Sequence, residues 1–143
     1  MSIRPLTDRY AVSPQITPQD LPALRAAGYT TIIDNRPDGE IPPPLHSAEM
    51  RRAAEAAGFV FVENPVVGGA ITLENVARQR AAIDAADGPV LAYCASGNRS
   101  SIVWALANAG RIPTDELIAL PARHGYRLED FRRDIDRLAA EAS

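Results

Sequence analysis

Short apolar runs alternate along the chain with amphipathic stretches, and breaks rich in Gly, Pro or charge separate them. Tyr10-Ala11-Val12 reads as a first strand, entered after a polar, mobile start. Thr17-Pro18-Gln19-Asp20 supplies an N-cap and a proline at the first helical position; Leu21 and Leu24 then give the buried side of a short helix ending at Gly28. Residues 29–34 (YTTIID) form an interior strand by their β-branched, apolar character. The charged turn at residues 35–40 leads into Ile41-Pro42-Pro43-Pro44, which excludes helix and central strand and belongs at the surface. Ser47 caps an alanine-rich helix running through Ala57 and closed by Gly58, and residues 59–62 form a third buried strand. After a flexible loop at residues 63–69, Thr72 caps a helix with Leu73, Val76 and Ile83 on one face. A strand follows at residues 89–93, then a helix over 101–109 that buries Ile102, Val103 and Leu106. Two more helices close the chain, one opened by Thr114-Asp115-Glu116 and one carrying Leu128, Phe131, Ile135 and Leu138 at helical spacing.

Strands alternating with helices predict an α/β fold: a parallel sheet of four to five strands, right-handed crossovers and helices on both faces. With no internal repeat or low-complexity linker, the whole chain, 1–143, reads as one domain. Ligands bind such sheets at the carboxyl ends of the strands. Three loops meet that condition: residues 35–40, residues 63–69, and the turn after Tyr93.

Composition narrows the chemistry. A chain of 143 residues buries about two-thirds of its unfolded surface and needs no staple. One cysteine forbids an internal disulfide and fits a reducing, cytoplasmic setting. No apolar run approaches a membrane span and no signal peptide is evident, so neither membrane nor export is expected. A net charge of −3 argues against a nucleic-acid partner. All 15 basic residues are Arg, which excludes Schiff-base chemistry and a P-loop lysine and leaves Arg as the strong anion clamp. His46 and His124 have no ligand-spaced companions, so no metal and no cofactor are expected. Trp104 and Phe131 are core residues by spacing, and Arg132-Arg133 with Asp134 and Asp136 reads as a solvated helix face.

The lone cysteine sits where a strand turns into a helix, in GPVLAYCASG followed by Asn98-Arg99-Ser100-Ser101. Such a turn aims several backbone N–H groups at one point, which the helix dipole makes electropositive. These surroundings favour the thiolate, the nucleophilic form of Cys94. Arg99, five positions on, can reach back and offer a planar fork of donors to a tetrahedral oxyanion. Ala95, Ser96, Gly97 and Asn98 contribute loop amides, and Ser100 either caps the helix or donates its hydroxyl to the thiolate. The stretch describes a nucleophile inside an anion cradle.

Cys94-Ala95-Ser96-Gly97-Asn98-Arg99-Ser100 resembles the nucleophile loop of cysteine phosphatases and rhodanese-type sulfurtransferases. Together with residues 33–40 and Asn64-Pro65-Val66-Val67-Gly68-Gly69, nearly the whole chain resembles the bacterial family called β-lactamase hydrolase-like protein, phosphatase-like domain. That resemblance implies the dual-specificity phosphatase fold. It also likens Asp34 and Arg36 to the rhodanese Asp-x-Arg: Arg36 is an accessory candidate, and Asp34 is expected to orient backbone or Arg99.

Three departures from a phosphatase tilt the expected chemistry. Four residues separate Cys94 from Arg99, the rhodanese number, where phosphatases have five. Tyr93 stands where phosphatases usually carry a histidine. The loop at residues 64–69 has no carboxylate to protonate a leaving alcohol, a function typically worth about 10² to 10⁴ in rate. Asp38, Glu40 and Glu63 are the carboxylates on nearby loops that could substitute. Sulfur transfer needs no such acid, because thiosulfate attacked at its sulfane sulfur expels sulfite. The favoured expectation is therefore a sulfurtransferase forming a Cys94 persulfide from thiosulfate or a persulfide donor. Its sulfur would pass to a thiol acceptor such as glutathione or to a sulfur-metabolism partner protein. The alternative is hydrolysis of phosphate esters through a Cys94 phosphoenzyme, and a third reading is an oxyanion-binding module without turnover.

Overall fold

The computed structural model describes residues 2–142. Five strands, β1 (Arg4–Thr7), β2 (Tyr10–Ser13), β3 (Thr31–Asp34), β4 (Val60–Glu63) and β5 (Val90–Tyr93), form one sheet in the order β1-β2-β5-β3-β4. β2, β5, β3 and β4 run parallel, whereas β1 is antiparallel to β2. The predicted mobile start is therefore an edge strand, with Arg4 opposite Val12 and Pro5 opposite Ala11. Only Leu6 in it is buried, and Pro5 is tolerated because an edge strand has one free side. So little apolar signal in four residues explains why the pattern reads as polar.

The faces of the sheet are covered as periodicity demands. Ala11, Ile32, Leu91 and Tyr93 point to one side and pack with Leu21 and Leu24 of α1 (Leu21–Ala26) and with Met50 and Ala54 of α2 (Ser47–Ala56). Val12, Ile33, Val90 and Ala92 point to the other. There they meet Ala82 of α3 (Leu73–Ala85), Ile102 and Ala105 of α4 (Asn98–Ala107), Leu117 of α5 (Thr114–Ala122) and Ile135 of α6 (Arg132–Ala142). Tyr10 stacks on Trp104 with ring centroids 5.9 Å apart, placing Trp104 in the core as expected.

Several local expectations are corrected. β4 pairs only with β3, so it is an edge strand in which Phe61 is buried while Val60 and Glu63 are exposed. Residues 43–45 of the proline run form a single 3₁₀ turn. Ser47 is not the cap of α2; His46 holds that position, and the Ser47 hydroxyl donates to Asp34. Leu73, assigned by spacing to a buried face, is 71% exposed, while Gln79 and Ala82 are the buried residues of α3. Phe131 is half-buried against the core. Among the described residues no helix is long and apolar enough to cross a membrane.

Candidate active site

β5 delivers Cys94 to the carboxyl edge of the sheet, between β2 and β3. Straps from both neighbours fix the turn: the Cys94 N–H donates to Ser13 O at 3.4 Å, and the Asn35 N–H donates to Tyr93 O at 2.8 Å. Cys94 is fully buried at the foot of this turn. The Gly97 N–H donates to Sγ at 3.1 Å. The Asn98 N–H instead meets Ser96 Oγ at 3.2 Å.

Gly97 is the pivot of the turn, with φ +98°, and its carbonyl accepts from the Ser101 hydroxyl at 2.8 Å. Tyr126 backs the loop, donating its hydroxyl to Ser96 O at 2.7 Å while Arg4 donates to the Tyr126 oxygen. A Cβ at Gly97 would run into the Tyr126 hydroxyl. Gly97→Ala combines a left-handed backbone with overpacking, and the expected loss is about 2–5 kcal/mol of stability. Urea unfolding checks this; an unchanged midpoint would mean that the turn tolerates a side chain.

Arg99 is held in a fork-to-fork pair. Its Nη1 and Nη2 donate to Glu40 Oε2 at 2.8 Å and Oε1 at 2.7 Å, and Nη1 also donates to Val66 O at 2.8 Å. The Glu40 carboxylate raises the guanidinium's pKa against its partial burial, and the nearby Cys94 sulfur acts in the same direction. Conversely, the hydrogen bonds from Arg99 hold the Glu40 carboxyl below its ordinary value. The pair is therefore complete above the usual glutamate range and is lost as pH falls through the lowered value. Glu40 thus orients Arg99. Glu40→Gln, which can accept only through one oxygen, is expected to lower kcat/KM about tenfold by loosening the clamp. It should also flatten any acid-side fall in activity that protonation of Glu40 causes in the wild type; unchanged rates and pH profile would remove Glu40 from this role.

The other predicted residues divide cleanly. Arg36 braces the loop that presents Glu40: it donates to Glu40 O at 3.1 Å and Gln15 Oε1 at 3.4 Å, and its Nε lies 3.6 Å from Glu40 Oε1. Asp34 orients backbone, accepting from the Arg36 N–H at 2.9 Å and from Ser47 Oγ at 2.6 Å, while burial raises its pKa. The Ser100 hydroxyl donates to Asn35 Oδ1 at 2.9 Å, so its partner is Asn35 and not the thiolate. Tyr93, at the histidine position, is buried among the α1 and α2 side chains, with the Asp34 carboxylate near its hydroxyl. Burial first, and the Asp34 charge second, push its phenol upward.

The three candidate substitute acids occupy different settings. Asp38 accepts from the Ser47 N–H at 2.8 Å, Glu40 is engaged with Arg99, and Glu63 is exposed at the end of the edge strand. His46 and His124 bond Ile41 O and Pro5 O, and no cluster fit for a metal ion occurs among the described residues.

A buried amide network beneath the site was not foreseen. Gln79 Oε1 accepts from Asn35 Nδ2 at 2.9 Å and Asn64 Nδ2 at 2.8 Å, and Gln79 Nε2 donates to the Tyr10 hydroxyl at 2.9 Å. The Tyr10 hydroxyl in turn donates to Ser100 O at 2.9 Å. Gln79 thereby ties the loops after β3 and β4 to the first turn of α4. The available signal was an amide on the apolar stripe of α3, between Val76 and Ile83, where a lone polar residue needs a partner.

Known proteins resemble this chain in sequence and in fold. The family model for β-lactamase hydrolase-like protein, phosphatase-like domain, matches residues 2–111. A β-lactamase hydrolase-like protein of Xylella fastidiosa (strain Temecula1) is 37% identical over 130 residues, covering 90% of this chain and 30% of that protein. One from Agrobacterium fabrum is 32% identical over 137 residues, covering 94% and 32%. The chain thus spans about a third of the length of these curated relatives. Among solved structures, a Neisseria meningitidis Z2491 protein described as a candidate phosphatase superposes with a TM-score of 0.81 at 36% identity, covering 96% of this chain and 99% of that one. PTPMT1, solved in complex with PI(5)P, superposes with a TM-score of 0.79 at 15% identity over 99% of each chain, a likeness of fold alone. With the parallel sheet, the cysteine turn and the matched residues in agreement, the chain belongs to the β-lactamase hydrolase-like, phosphatase-like domain family.

Proposed function

We propose that the chain is a cysteine-dependent hydrolase of phosphate monoesters with good leaving groups. The observation that carries this reading is the cradle: Cys94 Sγ under the Gly97 N–H, with Arg99 beside it and fixed by Glu40. The phosphatase-like family and its phosphatase-fold neighbours support phosphate over thiosulfate, reversing the preference drawn from the sequence. In the first step Sγ attacks phosphorus, the S–P bond forms, the P–O ester bond breaks, and the alcohol leaves as its oxyanion. Water then attacks phosphorus and loses its proton to solvent; the S–P bond breaks and phosphate departs with the thiolate restored. Arg99 and the loop amides meet the charge on the equatorial oxygens in both steps. With no carboxylate on residues 64–69 to protonate the leaving oxygen, aryl esters are the expected substrates and alkyl esters turn over poorly.

Sulfur transfer is the second reading, favoured by the four-residue spacing and by the same missing acid. Both readings are tested by assaying the protein for phosphate release from phenyl and methyl phosphate, and for thiocyanate or glutathione persulfide formation from thiosulfate. Phosphate release from the aryl ester alone is expected. Sulfur transfer without phosphate release would overturn the proposal, and activity in neither assay would favour an oxyanion-binding module.

A further inference from the structure

Beside the cradle lies a groove of about 560 Å³, floored by α4 and walled by α3 and α6. Leu73, Val76, Ile102, Leu106, Phe131 and Leu138 make its surface apolar. Its upper end is formed by Asn98 and Arg99, the first residues of α4, and by Gly68 and Gly69 of the loop whose Val66 carbonyl holds Arg99. Groove and cradle therefore share Arg99 and meet at one helix terminus. From Asn98 to Leu106 the groove follows α4 for about 12 Å, the length of an extended chain of eight or nine carbons or a two-ring aromatic.

Two observations bear on what fills it. Among the exposed large apolar residues are Leu73 at the groove wall and Val67, 54% exposed, on the adjoining loop, so apolar surface continues from the cavity toward the cradle rim. The polar groups along the α6 lip are Asp134, Arg137 and Glu141, and Arg137 already pairs with Asp134 at 2.9 Å. No free cation is left there, among the described residues, for a second anionic group. Volume and lining suit a small molecule with an apolar body and few polar contacts.

We propose that the groove is the leaving-group subsite: the substrate is a monoester bearing a single phosphate on an apolar aryl body, with the phosphate over Cys94 and the body along α4, and apolar alkyl phosphates bind the same groove without efficient turnover. This rests on the cradle accepting a phosphate ester, and it adds the substrate class.

The test uses binding, so that it can succeed where turnover fails. Cys94→Ser protein is titrated with inorganic phosphate, methyl phosphate, naphthyl phosphate and octyl phosphate. Naphthyl and octyl phosphate are expected to bind at least about tenfold tighter than methyl phosphate, the gain that two or three buried methylene groups supply. In Leu73→Asp and in Leu138→Lys, each made on the Cys94→Ser background, that ratio should fall toward one. Val60→Asp, at an exposed apolar position on β4, should leave it intact. Equal affinities for the small and large esters, no binding of the large ones, or a ratio that survives both groove substitutions would overturn the proposal. Wild-type protein that binds the large esters selectively but never releases phosphate would uphold the subsite and overturn the hydrolase reading.

Discussion

Cys94→Ser is expected to lower phosphate release from an aryl ester by about 10³-fold or more while leaving the fold intact. Serine fits the space, and its oxygen can accept the Gly97 N–H that now meets Sγ at 3.1 Å. What it lacks is nucleophilicity, since a serine hydroxyl must lose its proton to a base during attack. The site offers none: His46 and His124 are bonded to Ile41 O and Pro5 O, Glu40 is paired with Arg99, and residues 64–69 contain no titratable side chain. Thermal unfolding should be near that of the wild type, and steady-state assays should show the loss in kcat. A serine variant that retains a substantial rate would place the nucleophile elsewhere.

Arg99→Lys should cost about 10² to 10³ in kcat/KM although it preserves the charge. The guanidinium satisfies both Glu40 oxygens and the Val66 carbonyl through Nη1 and one Nη2 hydrogen, which leaves Nε–H and the second Nη2 hydrogen, on the side of Cys94, to meet an oxyanion. A single ammonium cannot span that set, and it would settle on Glu40, drawing the charge away from phosphorus. A fall in kcat larger than the rise in KM is expected, because the fork matters most as charge spreads over the oxygens in the transition state. Near-normal kinetics would mean that Arg99 is a structural partner of Glu40 and nothing more.

Much of this was legible in the chain itself. The alternation of β-branched runs with capped helices gives the parallel sheet, and the strand-to-helix turn puts Cys94 and Arg99 at one end of a single helix. What was hidden depended on contacts distant in sequence. Glu40 was recognisable as a loop carboxylate, but its pairing with Arg99, 59 positions away, comes only from the adjacency of β3 and β5. The Ser100 hydroxyl had two local roles in view, and a third partner, Asn35, took it. Leu73 obeyed helical spacing yet lies exposed, because spacing gives a face and not what covers it. The edge strand β1 was lost for the opposite reason: four residues with a single buried side chain carry almost no pattern.

The most direct measurement is the chemical identity of the group that Cys94 carries during turnover. Protein mixed with aryl phosphate, or separately with thiosulfate, is quenched rapidly, digested, and the Cys94 peptide is analysed by mass spectrometry. A phosphoryl group on Cys94 after the aryl ester, absent from Arg99→Lys under the same conditions, is the expected result. A persulfide on Cys94 after thiosulfate, with no phosphoryl adduct from the ester, would contradict it and make sulfur transfer the chemistry of this cradle.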